Sequence, residues 1–372
     1  MTARSRDRRV YLSSHPVLFA LLAATRRRPA LRLGSTVLVH DQEAFRTALT
    51  RVPLDRTAAG TTGGAAGELA GAGALFDQQG AEHRDSRRAT ATLLGAAGVA
   101  KLRPTWTRLL DDRLPVLATG GAVDLVPLAA EIAGATAAEL LELDVDPVEL
   151  ATAARVAAAA AARAHLPGVG RWRAGRSAAA AADRLIGLVA PGRPADAGRN
   201  VMLAVAAVNT TVAALPRAVA WACDDDLWEN AGRALADELM RVTAPTPLLP
   251  RVAAGDATVG GCPVRSGDRL LLIARHAAEA HRAGPEPDHP QPARTAQLVF
   301  GAGSHFCPGA GLARAQLADL LAALAPYRPV VARARADRRA ALPGWRSLTI
   351  RGTAPGARIP LDQAAPLQQG TP

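Results

Sequence analysis

The sequence predicts a mainly α-helical protein with a minor β region. Three observations point there. Alanine- and leucine-rich runs recur at helical period, most plainly over residues 310–324, where Leu312, Leu317, Leu320, Leu321 and Leu324 share one broad face. Residues 200–223 are nearly uncharged, which reads as a helix buried on all sides. Short alternating segments at 30–33, 36–40 and 256–275 supply strands.

Taken in order, Arg4, Arg6, Arg8 and Arg9 precede an apolar run at 17–24. A secretory leader has a similar outline. Pro16, however, suits the first turn of an ordinary helix, and the run falls well short of the roughly 18 apolar residues that span a bilayer. The expectation is a soluble, cytoplasmic chain with no membrane segment. A β-hairpin about Gly34-Ser35 follows, and Asp41 then opens a helix through Leu49. Residues 57–75, rich in Gly, Ala and Thr, read as a surface loop. His83 and Arg87 stand four apart, so both project from one helical face. Residues 120–190 read as alanine-rich helix, punctuated at Pro147, Pro167-Gly168 and Pro191-Gly192.

The buried helix at 200–223 carries Asn209, Thr210 and Thr211 in its middle, and Pro216 removes one of its backbone hydrogen bonds. Glu238 and Arg241 are spaced as a helical ion pair. Residues 256–275 read as two strands joined at Ser266-Gly267-Asp268, with Cys262 in a Gly-Gly-Cys-Pro turn. Residues 345–359 read as a final hairpin.

Composition narrows the function classes. With 372 residues, 49% of them apolar, the chain can bury a large core without disulfides. Its three cysteines, Cys223, Cys262 and Cys307, are too few and too odd for a disulfide framework. The net charge of +11 comes almost wholly from arginine. Those arginines are scattered, with one run at Arg26-Arg27-Arg28, and aromatics make up only 3% of the chain. Nucleic-acid binding wants basic residues clustered with stacking aromatics, so it is disfavoured. A basic face for an acidic redox protein fits better.

The chemistry gathers at Phe300-Gly301-Ala302-Gly303-Ser304-His305-Phe306-Cys307-Pro308-Gly309. Cys307 lies just before the helix at 310. The free N–H groups and dipole of a helix N-terminus favour thiolate over thiol. The spacing of Phe300, Gly303, His305, Cys307 and Gly309 resembles the haem-binding loop of the cytochrome P450 family. Three further stretches resemble that family in order and spacing. They are the His83-x-x-x-Arg87 pair, the helix reading Ala206-Ala207-Val208-Asn209-Thr210-Thr211, and the Glu238-x-x-Arg241 pair.

The resemblance implies the cytochrome P450 fold over a single domain, residues 1–372, and haem b (iron protoporphyrin IX) as cofactor. It implies that Cys307 is the thiolate ligand of the iron, which favours O–O cleavage. Phe300, Gly303, His305 and Gly309 then shape the cofactor loop, and His83, Arg87, Arg251 and His305 reach the haem propionates. Residues 57–75 would form a flexible lid on the substrate pocket. Thr210 matches the family's threonine on the distal face, whereas Asn209 stands where an acid is usual and Ala207 where glycine is. The expected third partner of Glu238 and Arg241 is His289 or Arg294. The activity implied is a monooxygenase that takes electrons from a ferredoxin and ferredoxin reductase. It would use O₂ to hydroxylate or oxidatively couple a small organic substrate, in natural-product biosynthesis. Two readings stand beside it: a peroxide-driven or coupling enzyme, suggested by Asn209, and a non-catalytic haem-fold protein that recruits a partner.

Overall fold

The computed structural model describes residues 2–70, 75–164, 171–190 and 196–353. Two helices come first, α1 (Ala3–Ser14) and α2 (Pro16–Thr25), with Pro16 at the start of the second as expected. The arginine-rich segment before Pro16 is thus itself a helix, capped by the Thr2 side chain. Strands β1 (Ala30–Leu33) and β2 (Thr36–Val39) form the hairpin about Gly34-Ser35. Helix α3 (Gln42–Thr50) starts where Asp41 accepts hydrogen bonds from the backbone N–H groups of Glu43 (2.8 Å) and Ala44 (3.0 Å).

Strand β3 (Leu54–Asp55) is followed by helix α4 (Thr62–Ala70). The expected loop at 57–75 is therefore helical over Thr62–Ala70. Thr61 supplies the reason, since its hydroxyl accepts from Gly64 N–H at 3.0 Å. Gly63 lets the helix press on the preceding backbone, for a Cβ there would lie 2.0 Å from the Arg56 carbonyl oxygen. Positions 71–74 lie outside the described residues.

Helices α5 (Gly80–Leu94) and α6 (Ala96–Arg113) precede β4 (Ala122–Asp124). Then come α7 (Leu125–Leu140), α8 (Pro147–Ala164) and α9 (Arg171–Val189). Pro147 opens α8 as its punctuation suggested, while Pro167-Gly168 and Pro191-Gly192 lie outside the described residues. Helix α10 (Ala197–Asp224) is the spine of the fold and continues through Pro216. By length and composition it could cross a membrane, but 72% of its most apolar window is buried inside the protein. Its apolar surface is core, shared with α6, α7, α8 and the helix Ala310–Leu324.

Helix α11 (Arg233–Thr243) leads to β5 (Leu249–Ala253). Residues 256–275 hold three strands, not two: β6 (Ala257–Val259), β7 (Cys262–Val264) and β8 (Arg269–Leu272). The turn between the first two falls at Gly260-Gly261, both at positive φ, so Cys262 begins a strand. Strand β8 instead joins a five-stranded sheet in the order β1-β2-β8-β5-β3. Residues 345–351 are not a hairpin by themselves but one strand, β10 (Gly344–Arg351), which pairs with the earlier β9 (Val330–Asp337); residues 354–359 lie outside the described residues.

The Glu238–Arg241 pair is fully buried at 2.7 Å. Neither His289 nor Arg294 completes it; both are exposed. The Glu238 carboxylate accepts backbone N–H groups from Glu286 (3.2 Å) and Gln291 (3.0 Å), while Arg241 donates to the carbonyls of Ala278 and Gly284. Backbone groups can serve because the 284–291 loop folds directly over the pair. Removing one partner strands a buried charge. Glu238→Ala should therefore lower stability to urea by about 3–5 kcal/mol, with a smaller loss when both residues are replaced by apolar ones. Unchanged unfolding of Glu238→Ala would show that the pair is dispensable.

Candidate haem site

The Phe300–Gly309 loop is built around two residues that need the left-handed region, Gly301 (φ 84°) and Gly303 (φ 71°). The Cys307 N–H donates to the Phe300 carbonyl at 2.9 Å and closes the loop. Below it, the Arg314 guanidinium lies 4.6 Å from the Phe300 ring centre and bonds Asp237 on α11. The loop is thus tied to α11 through Arg314, while Gly303 packs on the end of α3. The helix begins at Ala310, so Pro308 lies in the preceding turn and is not a helical residue.

The Gly309 N–H bonds the Cys307 sulfur, as a site before a helix N-terminus provides. Burial nevertheless outweighs that bond and the nearby charges of Arg87 and Arg314, and the thiol pKa is raised. The expected preference for thiolate is reversed in the protein alone; a coordinated metal is what deprotonates such a thiol. Cys307 keeps accessible surface despite this desolvation, as does a wall residue of an internal cleft.

The rest of the wall is cationic or hydrogen-bond donating. The rings of His83, from α5, and His305, from the loop, stack at 3.9 Å. Arg87 stands one turn beyond His83, and Arg251 comes from β5. Its Nη1 donates to Thr62 Oγ1 at 3.0 Å and to the Pro250 carbonyl at 2.7 Å. Burial lowers the pKa of every one of these groups. His305 falls to about 3, helped by the charges of Arg56, His83, Arg251 and Arg87, and Arg251 falls to about 10. His83, Arg87 and Arg56 are lowered as well, chiefly by desolvation. Among the described residues none of these side chains pairs with a carboxylate. His83 Nε2 and Arg251 Nε are buried with no hydrogen-bond partner.

Buried donors without acceptors are costly and call for an absent acceptor. A planar macrocycle with two carboxylates and a metal fits this set. With such a group bound, the Cys307 thiol would be the metal donor and the orphaned nitrogens would meet the carboxylates. A Cβ at Gly309 would stand in ordinary contact with the sulfur, at 3.8 Å, so space alone does not demand glycine there. The other two cysteines do not fit: Cys223 lies on α10, its thiol pKa raised by burial, and Cys262 lies on β7.

On α10, Ala206, Ala207 and Thr210 are half-buried, as are their neighbours Val205 and Asn209. The Thr210 hydroxyl donates to the Ala206 carbonyl at 2.8 Å. The Asn209 amide donates to the Val205 carbonyl one turn back on α10 (2.8 Å) and to the Ala154 carbonyl on α8 (3.4 Å). The structure thus brings His83, Arg87, Arg251, His305 and Cys307 to one cleft and engages Asn209 in helix packing. Sequence reading missed Arg56. No local pattern marks it; only the pairing of β3 with β5 carries it to the site.

Several curated proteins match part of the chain. A cytochrome P450 140 of Mycobacterium tuberculosis is 31% identical over 132 residues, 34% of this chain and 29% of that protein. A steroid C26-monooxygenase of Rhodococcus jostii is 29% identical over 153 residues, 39% of this chain and 32% of that protein. The matched stretch thus spans about a third of these relatives. Among solved structures, P450BioI in complex with an acyl carrier protein carrying hexadec-9Z-enoic acid superposes with a TM-score of 0.73. That match covers 92% of this chain and 99% of that one at 17% identity. The chain has the cytochrome P450 fold. No family model matches it. The cytochrome P450 fold accounts for the mainly helical architecture and its small sheets.

Proposed function

We propose that the protein is a haem-thiolate monooxygenase, working as a single domain on a small organic substrate in natural-product biosynthesis. The observation that carries this is the cleft wall, where the Cys307 thiol shares a desolvated space with donors that have no acceptor. Haem b would be held with its iron on Cys307 and its propionates among His83, Arg87, Arg251 and His305. Phe300, Gly303 and Gly309 would shape the loop beneath it. The bound group would supply O₂ activation and oxygen transfer, with two electrons from a ferredoxin and its reductase.

The chain's own residues would do the rest. Cys307 would give charge to the iron. Thr210 would hold a proton at its hydroxyl on α10, where Ala206 and Ala207 leave room for it. The apolar body of α10 would keep bulk water out. Asn209 favours a second reading, in which the enzyme runs on peroxide or couples substrate radicals. Its amide cannot ionise and is already engaged with Ala154, so no acid relay exists at that position.

The reduced-CO difference spectrum of the haem-loaded protein should show a band near ~450 nm, expected for thiolate ligation. Cys307→His should abolish it, while Cys223→Ala and Cys262→Ala keep it. Loss of the band in Cys262→Ala would move the ligand elsewhere. Turnover in a system reconstituted with a ferredoxin and reductase separates an enzyme from a haem-fold protein that only recruits a partner. In that system Thr210→Ala should release several-fold more hydrogen peroxide per NADPH and form less product. Unchanged coupling alongside lower thermal stability would make Thr210 a packing residue.

A further inference from the structure

The cleft contains a guanidinium beyond those assigned to the cofactor. Arg56 follows β3, whose Leu54 and Asp55 pair antiparallel with Ala253 and Val252 of β5. One residue further on, Arg56 reaches the level of Arg251, and residues opposite one another in an antiparallel pair project to one face. The backbone at Arg56 is held by close packing of Gly63 on its carbonyl. Its side chain is half-buried, and its guanidinium makes no hydrogen bond or ion pair with any described residue.

The acid nearest in sequence does not neutralise it. The Asp55 Oδ1 is taken by the N–H and hydroxyl of Thr57 (2.9 and 3.0 Å) and the N–H of Ala58 (3.1 Å). The Arg56 charge instead bears on Arg251 and His83, both on the cleft wall. Three guanidiniums, Arg56, Arg87 and Arg251, therefore share a desolvated space. All remain protonated near neutral pH. A haem brings two carboxylates, so one positive charge is left over.

We propose that Arg56 is a carboxylate-binding residue of this cleft. The inference rests on the haem-protein reading above and adds to it a residue and a ligand chemistry. The carboxylate has two possible sources, a haem propionate or an acidic group on the small-molecule ligand. An unpartnered guanidinium on an ordered strand end is ready to take either in bidentate fashion.

Haem-loaded wild type, Arg56→Gln, Arg56→Lys and Arg84→Gln are compared. Arg84 is exposed on α5 near His83, so its loss controls for charge alone. One arm follows haem transfer to apomyoglobin. The other follows the Soret shift on titration with dodecanoic acid and with dodecanol. If the source is propionate, Arg56→Gln releases haem roughly tenfold faster, the size expected for one lost charge-assisted bond, and Arg56→Lys falls between. If the source is the ligand, haem release is unchanged and the preference for the acid over the alcohol disappears. In both cases Arg84→Gln behaves as wild type. An Arg56→Gln protein that matches wild type in both arms overturns this inference alone. A wild-type chain that binds no haem overturns the haem reading, and this inference with it.

Discussion

The cleft of this protein is organised by positive charge that has been dehydrated without being paired. Arg56, Arg87 and Arg251 stand beside the stacked imidazoles of His83 and His305, and burial lowers the pKa of each. Such a cluster is costly on its own, because each guanidinium gives up water and meets only like charge or dipoles. It persists because the surrounding fold over-determines it. The residues come from the end of β3, from α5, from β5 and from the cysteine loop, each anchored by contacts outside the cleft. An occupant with two carboxylates would repay that cost, and the thiol of Cys307 would be the donor for its metal.

The contrast with the other buried charges is instructive. Arg241 is buried more deeply still, and Glu238 and two backbone carbonyls satisfy it. Arg217 of α10 is likewise buried, and Asp7 of α1 answers it at 2.7 Å. Those ions hold elements together within the folded chain alone. Nothing in the described chain plays the same part for Arg87 or Arg251. The half-buried cleft arginines differ from these fully buried ones in having no carboxylate partner among the described residues.

Much of this was legible in the sequence. The run at 310–324 and the nearly uncharged segment at 200–223 gave two core helices because burial leaves a strong periodic or all-apolar trace. The loop ending in Cys307 and the His83–Arg87 pair were readable because their spacing is local. What was not legible depended on tertiary pairing. Arg56 has no motif of its own and is placed by strand register. The acceptors and donors around Glu238 and Arg241 are backbone groups, which no side-chain pattern announces. The glycines at 63 and 64 suggested a loop, whereas they serve close helix–backbone packing. Asn209 was readable as a departure from an acid, but its engagement with Ala154 needed the position of α8.

If unpaired cations are the reason this cleft exists, the carboxylates of its occupant should carry much of the binding. The direct measurement is the thermal midpoint of the haem-free protein alone, with ferric protoporphyrin IX, and with the same compound esterified at both propionates. Any ligand of the folded state raises the midpoint in proportion to its affinity. The free acid should raise it strongly, and the diester much less, though the metal and ring are unchanged. Equal shifts for the two would contradict the account, since the cationic wall would then contribute nothing to holding the group.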